Sequence, residues 1–236
     1  MTTRENELGQ PIGPEVPGWS PRPHPPQAVM QGRYCRVEPL DPSRHAPELH
    51  EANSLDRQGR MWTYLFSGPF ASFDDYRAWM DAKQGSEDPL FFVFVDAASG
   101  RAVGLGSYLR IDPSNGTVEV GHLQFSPLMQ RTALATEAMY LMMKGAFDFG
   151  YRRYEWKCDA LNAGSRRAAE RLGFRFEGIF RQAIVYKGRS RDTAWYSVID
   201  KEWPALEAAF GAWLDPANFD AGGRQRRSLV ELRTAR

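Results

Sequence analysis

The sequence predicts a mixed α/β fold built on one central sheet. Three observations carry this. Strand patterns at 90–95, 102–111 and 117–125 are parted by the turn sequences Ala98-Ser99-Gly100 and Asp112-Pro113-Ser114-Asn115-Gly116, which makes a meander. Helical patterns at 132–149 and 163–172 flank a strand pattern at 153–160. Two further strand patterns, 174–186 and 191–199, meet at Lys187-Gly188 as a hairpin. The 236 residues, 42% apolar and 25% charged, suit one large domain, or a domain with ordered tails.

In chain order, residues 1–27 hold 7 of the 16 prolines. Proline lacks the amide donor and fixes φ, so the stretch reads as an extended arm, with Trp19 a candidate docking anchor. Alternation makes 32–40 a first strand. Asp41-Pro42 starts a helix that runs to about residue 53, with aspartate as N-cap and proline in the first turn. The aromatic-dense segment from Met61 to Phe66 precedes a second helix at 72–84. Ser72 caps that helix, and Asp74-Asp75 favour its positive end. After the meander, helix 132–149 closes at Gly150. Strand 153–160 turns Tyr154, Trp156, Cys158 and Ala160 inward. Helix 163–172 ends with Gly173 at C′. A last helix at 204–214 precedes a tail, 215–236, rich in Gly and Arg.

Composition excludes several classes. No apolar run approaches the roughly 18 residues that span a bilayer. The polar N-terminus carries acids where a secretory signal is apolar, and Cys35 and Cys158 make no disulfide framework. The two cysteines point to a reducing, cytoplasmic compartment. No His/Cys cluster has metal-ligand spacing, so no metal is expected. The absence of GxxxxGK[ST], GxGxxG, HExxH and GxSxG argues against P-loop, dinucleotide, zincin and serine hydrolase chemistry. A net charge of +1 argues against a general polyanion binder. The charge is uneven, however: residues 152–191 carry eleven basic and four acidic side chains, mostly arginine, which suits phosphate or carboxylate partners.

The segment Gln130-Arg131-Thr132-Ala133-Leu134-Ala135-Thr136 follows a strand at once and opens a helix. Its small residues let a ligand approach the main chain, and first-turn amides bind anions because they lack internal partners. Taken alone, an ordinary capped helix start explains the same residues better, because many helices begin this way.

Taken together, these motifs resemble the GNAT-superfamily N-acetyltransferases, in the branch that includes ribosomal-protein N-terminal acetyltransferases. Residues Gln130 to Ala135 are similar to the superfamily's Q/R-x-x-G-x-G/A pyrophosphate loop, with Ala133 at the central glycine. Asn162-Ala163-Gly164-Ser165 through Gly173-Phe174 resembles its N-x-x-S…GF block. Glu177-Gly178 through Arg181, Lys187 through Asp192, and Glu202-Trp203 resemble the branch's closing motifs. The likeness spans roughly residues 32–205.

The resemblance implies a mostly antiparallel sheet in which parallel strands 117–125 and 153–160 splay apart around acetyl-CoA. The acyl-CoA N-acyltransferase domain would be 28–214. The pyrophosphate would lie on the amides of 131–136, and pantetheine along Gln124, Phe125 and Ser126 like a short extra strand. Asn162 would hold the pantetheine, with Arg131 and Arg166 as candidate phosphate contacts. Ser165 is the candidate acid toward the CoA sulfur. Alternatively, Asn162 is an N-cap and Ser165 satisfies the first helical turn. Glu119, on a strand where the family often places a carboxylate, is the candidate base; its other reading is an acid paired with an arginine. His122 faces the opposite side of a regular strand unless a bulge intervenes, and reads as an acceptor contact or a packing residue.

Trp62, Tyr64, Phe66, Tyr108 and Arg110 are candidate walls of the acceptor pocket. Trp62 and Phe66 are alternatively core, Phe66 more so. The acids Glu51, Asp56 and Asp112 would attract a cationic amine. The expected activity is acetyl transfer from acetyl-CoA to a primary amine of a small molecule or protein N-terminus, by direct attack. An idle acyl-CoA-binding module on the same fold is the alternative, supported by Ala133. Nucleic-acid binding through Arg152-Arg153, Arg166-Arg167 and the tail arginines 224–227 ranks third. The branch resemblance also implies a homodimer.

Overall fold

The computed structural model describes residues 4–234. In the arm, β1 (Arg4–Glu5) and β2 (Pro11–Ile12) form a small hairpin of their own. The main sheet comprises β3 (Met30–Gln31), β4 (Cys35–Pro39), β5 (Leu90–Asp96), β6 (Ala102–Asp112), β7 (Thr117–Phe125), β8 (Arg153–Asp159), β9 (Arg175–Tyr186) and β10 (Arg189–Ile199). Their order is β3-β4-β5-β6-β7-β8-β10-β9. Only β7 and β8 run parallel; every other neighbouring pair is antiparallel. This is the predicted mixed, mostly antiparallel sheet with one parallel pair.

Helices cover both faces. On one, α1 (Pro42–Ser54) and α2 (Phe73–Asp81) bury Leu49, Tyr76 and Met80 against Phe91, Val93 and Leu105. On the other, α3 (Ala133–Asp148), α4 (Ala163–Leu172), α5 (Trp203–Leu214) and α6 (Leu229–Thr234) pack with Phe92, Phe94, Tyr108 and Tyr154. Double coverage explains why Leu90-Phe91-Phe92-Val93-Phe94-Val95 is continuously apolar rather than alternating. The caps are those the sequence specifies. Asp41 Oδ1 accepts from Ser43 N at 3.0 Å, and Ser72 Oγ accepts from Asp75 N at 3.1 Å.

Two local expectations change. The strand read from residue 32 begins at Cys35, because residues 32–34 form the turn between β3 and β4. The buried Glu137 carboxylate of α3 holds that turn, accepting from the amides of Arg33, Tyr34 and Cys35 at 2.9, 2.5 and 2.8 Å. A Cβ at Gly32 would collide with this carboxylate, so only glycine fits. The Gly- and Arg-rich tail, to which the sequence pattern assigns no element, contains α6, whose Leu229 is fully buried. Along the arm, Trp19 Nε1 donates to Ser114 O at 2.9 Å, and its ring stacks with the guanidinia of Arg22 and Arg152.

Candidate active site

β7 and β8 pair only from Thr117↔Arg153 to Val120↔Trp156. Beyond that point β7 stays with β6, and β8 stays with β10. The two strands therefore part, and a cleft of about 1510 Å³ opens between them. Two bulges shape its walls. On β7, His122 and Leu123 oppose the single residue Gly106, and His122 takes φ 51°. On β6, Arg110 takes φ 47° at the second register shift. The β7 bulge reverses the side-chain alternation, so Glu119 and His122 both border the cleft although three residues apart.

Glu119 is 3% exposed. Its Oε2 accepts from Arg110 Nε and Lys157 Nζ, each at 2.9 Å. Lys157 also binds Glu155 at 2.8 Å, and its ammonium lies 3.7 Å from the Trp195 ring centre. Burial pushes the Glu119 carboxyl above the usual range, against the pull of Lys157 and Arg110. Burial works the same way on Glu155, but hydrogen bonds from Lys157 and Arg153 hold that carboxyl below the usual range. His122 Nδ1 lies 2.8 Å from Ser107 Oγ, and its ring packs on Phe91. Burial first, then the Lys83 and Arg110 charges, push the imidazole down to about 4, so it is neutral at neutral pH.

At the helical mouth, Thr132 caps α3. Its Oγ1 accepts from Ala135 N at 3.2 Å and donates to Met129 O. The amides of Ala133 and Leu134 keep no protein acceptor among the described residues. Gln124 is buried and its Oε1 has no donor there either. Gln130 Nε2 donates to Phe125 O at 2.8 Å, and Arg131 stands beside it at φ 63°. Asn162 Oδ1 caps α4 through Ser165 N at 3.0 Å, and Ser165 Oγ accepts from Trp156 Nε1 at 2.9 Å. The same hydroxyl stands against the Cys158 thiol. Burial raises that thiol, and the bond from Ser165 partly offsets the rise.

Of the sequence-predicted donor residues, Gln124, Phe125, Gln130, Arg131, Thr132 and Ala133 line the cleft. So do Ala135, Thr136, Asn162 and Ser165. Three do not. The Ser126 hydroxyl turns inward and donates to Val103 O at 2.6 Å. Leu134 points into the core under α3. Arg166 lies off the cleft, where its Nε donates to Tyr196 OH at 3.0 Å. The next residue on the helix, Arg167, faces the cleft instead, together with Arg171 one turn later.

On the acceptor side Tyr64, Glu119 and His122 border the cleft, as does Arg110. Trp62 and Tyr108 do not. Trp62 is 6% exposed in the core under α1, and Tyr108 is 3% exposed, its hydroxyl bonded to Met142 O. Tyr108 faces α3 because Leu109 and Arg110, its successors on β6, take the cleft side. Phe66, the residue read more as core, is 54% exposed and sits in the cleft wall beside Tyr186. Of the attracting acids, Glu51 pairs with Arg101, Asp56 accepts from Met61 N, and Asp112 binds Asn115; none lines the cleft.

Sequence reasoning missed Lys157, Asp159 and Arg191, and the tail residues Phe219 and Arg224, all of which line the cleft. The polar alternation Arg153, Glu155, Lys157, Asp159 on β8 was the available signal for the first two. The tip of the β9–β10 hairpin is tied to the segment that carries Trp62 to Gly68. Lys187 Nζ donates to Trp62 O, Ser67 O and Gly68 O at 2.8, 3.1 and 2.6 Å.

Comparison with known proteins agrees with this architecture. The profile of the acetyltransferase (GNAT) domain matches residues 36–175. A GCN5-related N-acetyltransferase structure from Brucella melitensis is 50% identical with a TM-score of 0.91, covering 92% of this chain and 99% of that one. A GNAT-family structure from Chromobacterium violaceum is 39% identical with a TM-score of 0.77, covering 83% of this chain and 98% of that one. RimL, a ribosomal L7/L12 α-N-protein acetyltransferase in complex with coenzyme A, shares the fold at 20% identity and a TM-score of 0.62, over 73% of this chain and 99% of that one. No curated protein matches the chain. A splayed parallel pair beside an open helical mouth is the architecture of an acyl-CoA-dependent acetyltransferase. The chain belongs to the GNAT acetyltransferase family, whose members use acetyl-CoA. Nothing in the comparisons favours the idle alternative. No helix among the described residues is long and apolar enough to cross a membrane.

Proposed function

We propose that this chain moves the acetyl group of acetyl-CoA directly onto a primary amine in the gap between β7 and β8. The observation that carries the reading is the parting of those strands at Val120 and Trp156 beside first-turn amides of α3 that lack acceptors.

The cleft residues suit the donor. The amides of Ala133 and Leu134, with the helix dipole behind them, fit a pyrophosphate. Gln124 Oε1, buried without a donor, fits an amide N–H of pantetheine. The guanidinia of Arg131, Arg167 and Arg224 line the same end and have no ion-pair partner among the described residues, which suits the remaining phosphate. RimL, which shares the fold, is seen in complex with coenzyme A, in keeping with a coenzyme A ligand here. Acetyl-CoA supplies the activated thioester; the protein's part is to place it and to move protons.

Glu119 takes the proton of the attacking amine. Arg110 and Lys157 both bind its Oε2, which leaves Oε1 for that task, and burial raises its proton affinity toward what a general base needs. Neutral His122 contacts the acceptor from the bulge. Ser165, its oxygen already occupied by the Trp156 indole, gives its own proton to the departing sulfur and recovers one from solvent, into which Glu119 releases the amine proton. A cytoplasmic setting and a small-molecule or N-terminal amine are consistent with this chemistry. A homodimer is proposed on the branch resemblance alone.

Isothermal calorimetry with coenzyme A, followed by thiol release from acetyl-CoA across an amine panel, tests the reading. Binding heat and amine-dependent release are expected. A folded sample giving neither would overturn it.

A further inference from the structure

We propose that the amine acceptor carries a carboxylate and that Arg191 holds it; the inference rests on the acetyltransferase reading above. Arg191 lies on β10 opposite Ile184 and lines the acceptor end of the cleft. It is 6% exposed. Its Nε donates to Thr193 Oγ1 at 3.1 Å, and its guanidinium lies 5.7 Å from the Phe66 ring centre. Neither Nη atom has an acceptor, and no carboxylate pairs with it, among the described residues.

That isolation sets Arg191 apart from the cations that surround Glu119. Lys157 bridges Glu119 and Glu155, Arg110 pairs with Glu119, and Arg153 pairs with Glu155 and Glu177. Asp159 also borders the cleft, but its oxygens are taken by Leu161 N and Tyr186 OH, each at 2.8 Å. Burying a guanidinium without a counter-charge is unfavourable, and an anion delivered by a ligand offsets that cost. The planar fork of two free Nη groups matches a carboxylate in bidentate geometry.

The surroundings narrow the class further. Phe66, Tyr64, Met61 and Ile184 give this end apolar walls. Arg191 repels a second positive charge, so a polyamine fits poorly. An amino acid with an apolar side chain fits: its carboxylate on Arg191, its body against Phe66, its amine toward Glu119.

The test compares phenylalanine and methionine with phenylalaninamide and methioninamide as acceptors, by thiol release from acetyl-CoA. Wild type is expected to favour the acids by at least about tenfold in kcat/KM. It should do so although the amides carry the less basic, more available amine. Arg191→Gln should lose that preference, and Arg191→Lys, which keeps charge without the fork, should retain only part of it. A second readout needs no turnover: 3-phenylpropanoate should raise the melting temperature of wild type, while 3-phenylpropanamide should not. Equal use of acids and amides, turnover of neither acid, or an unchanged preference in a folded Arg191→Gln protein overturns the inference. So does a carboxylate that fails to stabilise wild type. If Arg191→Gln does not fold, the wild-type comparisons decide alone. Calorimetry with coenzyme A on the same sample separates the outcomes: heat with the coenzyme but no acid preference removes only the acceptor assignment.

Discussion

The Trp156 indole N–H donates to Ser165 Oγ at 2.9 Å across the start of the cleft. The bond ties a β8 core residue to the first turn of α4 and fixes which way the hydroxyl proton points. Ser165→Ala should therefore lower kcat by about 100-fold with little change in KM for acetyl-CoA. Trp156→Phe keeps the packing on Phe174 but frees the hydroxyl rotor. It should cost about threefold to tenfold in kcat, the scale of a lost orienting hydrogen bond. Steady-state thiol release checks both. An effect confined to KM would assign Ser165 to binding alone.

Glu119 has two duties, and a double variant separates them. Glu119→Gln should reduce kcat by about 10²–10⁴. It should also destabilise the fold by about 3 kcal/mol, because Arg110 and Lys157 lose part of their buried counter-charge. Adding Lys157→Met removes the buried cation that has lost one of its two carboxylates, while Glu155 keeps Arg153, and should recover much of the melting temperature without recovering turnover. Recovery of both would make Glu119 a structural acid only.

Arg167 and Arg224 approach the donor end from α4 and from the tail loop. Alanine at either position should raise the dissociation constant for coenzyme A by about threefold to tenfold, as for a screened surface charge–phosphate contact. The wild-type affinity should fall with added salt, and the double variant should fall less steeply. Calorimetry at two ionic strengths measures this.

The fold was legible because its signals are local. Asp41, Ser72 and Gly173 punctuate helices by their own chemistry, and Leu90 to Val95 announces a doubly covered strand. The same local grammar held a signal that was passed over: Ser228 and Glu231 form a capping box for α6, bonding reciprocally at 2.6 and 3.2 Å. The site was less legible because its composition depends on which way a side chain turns. The His122 bulge reverses parity along β7, and one helical step exchanges Arg166 for Arg167. Trp62 and Phe66 exchange places for a similar reason. Nothing in an aromatic run says which ring meets the α1 core and which meets the hairpin tip held by Lys187.

His122 makes a prediction about pH whose sign follows from its surroundings. Burial and the Lys83 and Arg110 charges hold the folded imidazole near 4, whereas the unfolded chain protonates it near 6.5; only Asp88 pulls the other way. Between those values the unfolded state binds a proton that the folded state refuses. The contribution of His122 is therefore complete above about 6.5 and is lost as the pH falls toward about 4. The loss amounts to about 2 kcal/mol once partial solvent access is allowed for. His122→Gln, which keeps a polar partner for Ser107 but cannot titrate, should narrow the gap in melting temperature between pH 7 and pH 5. Turnover of wild type should show no ionisation of this imidazole between pH 6 and pH 8, because it is already neutral there. An acid limb near 6.5 in the pH–kcat/KM profile that His122→Gln abolishes would show the ring titrating freely, and would remove both the buried-imidazole assignment and the stability effect derived from it.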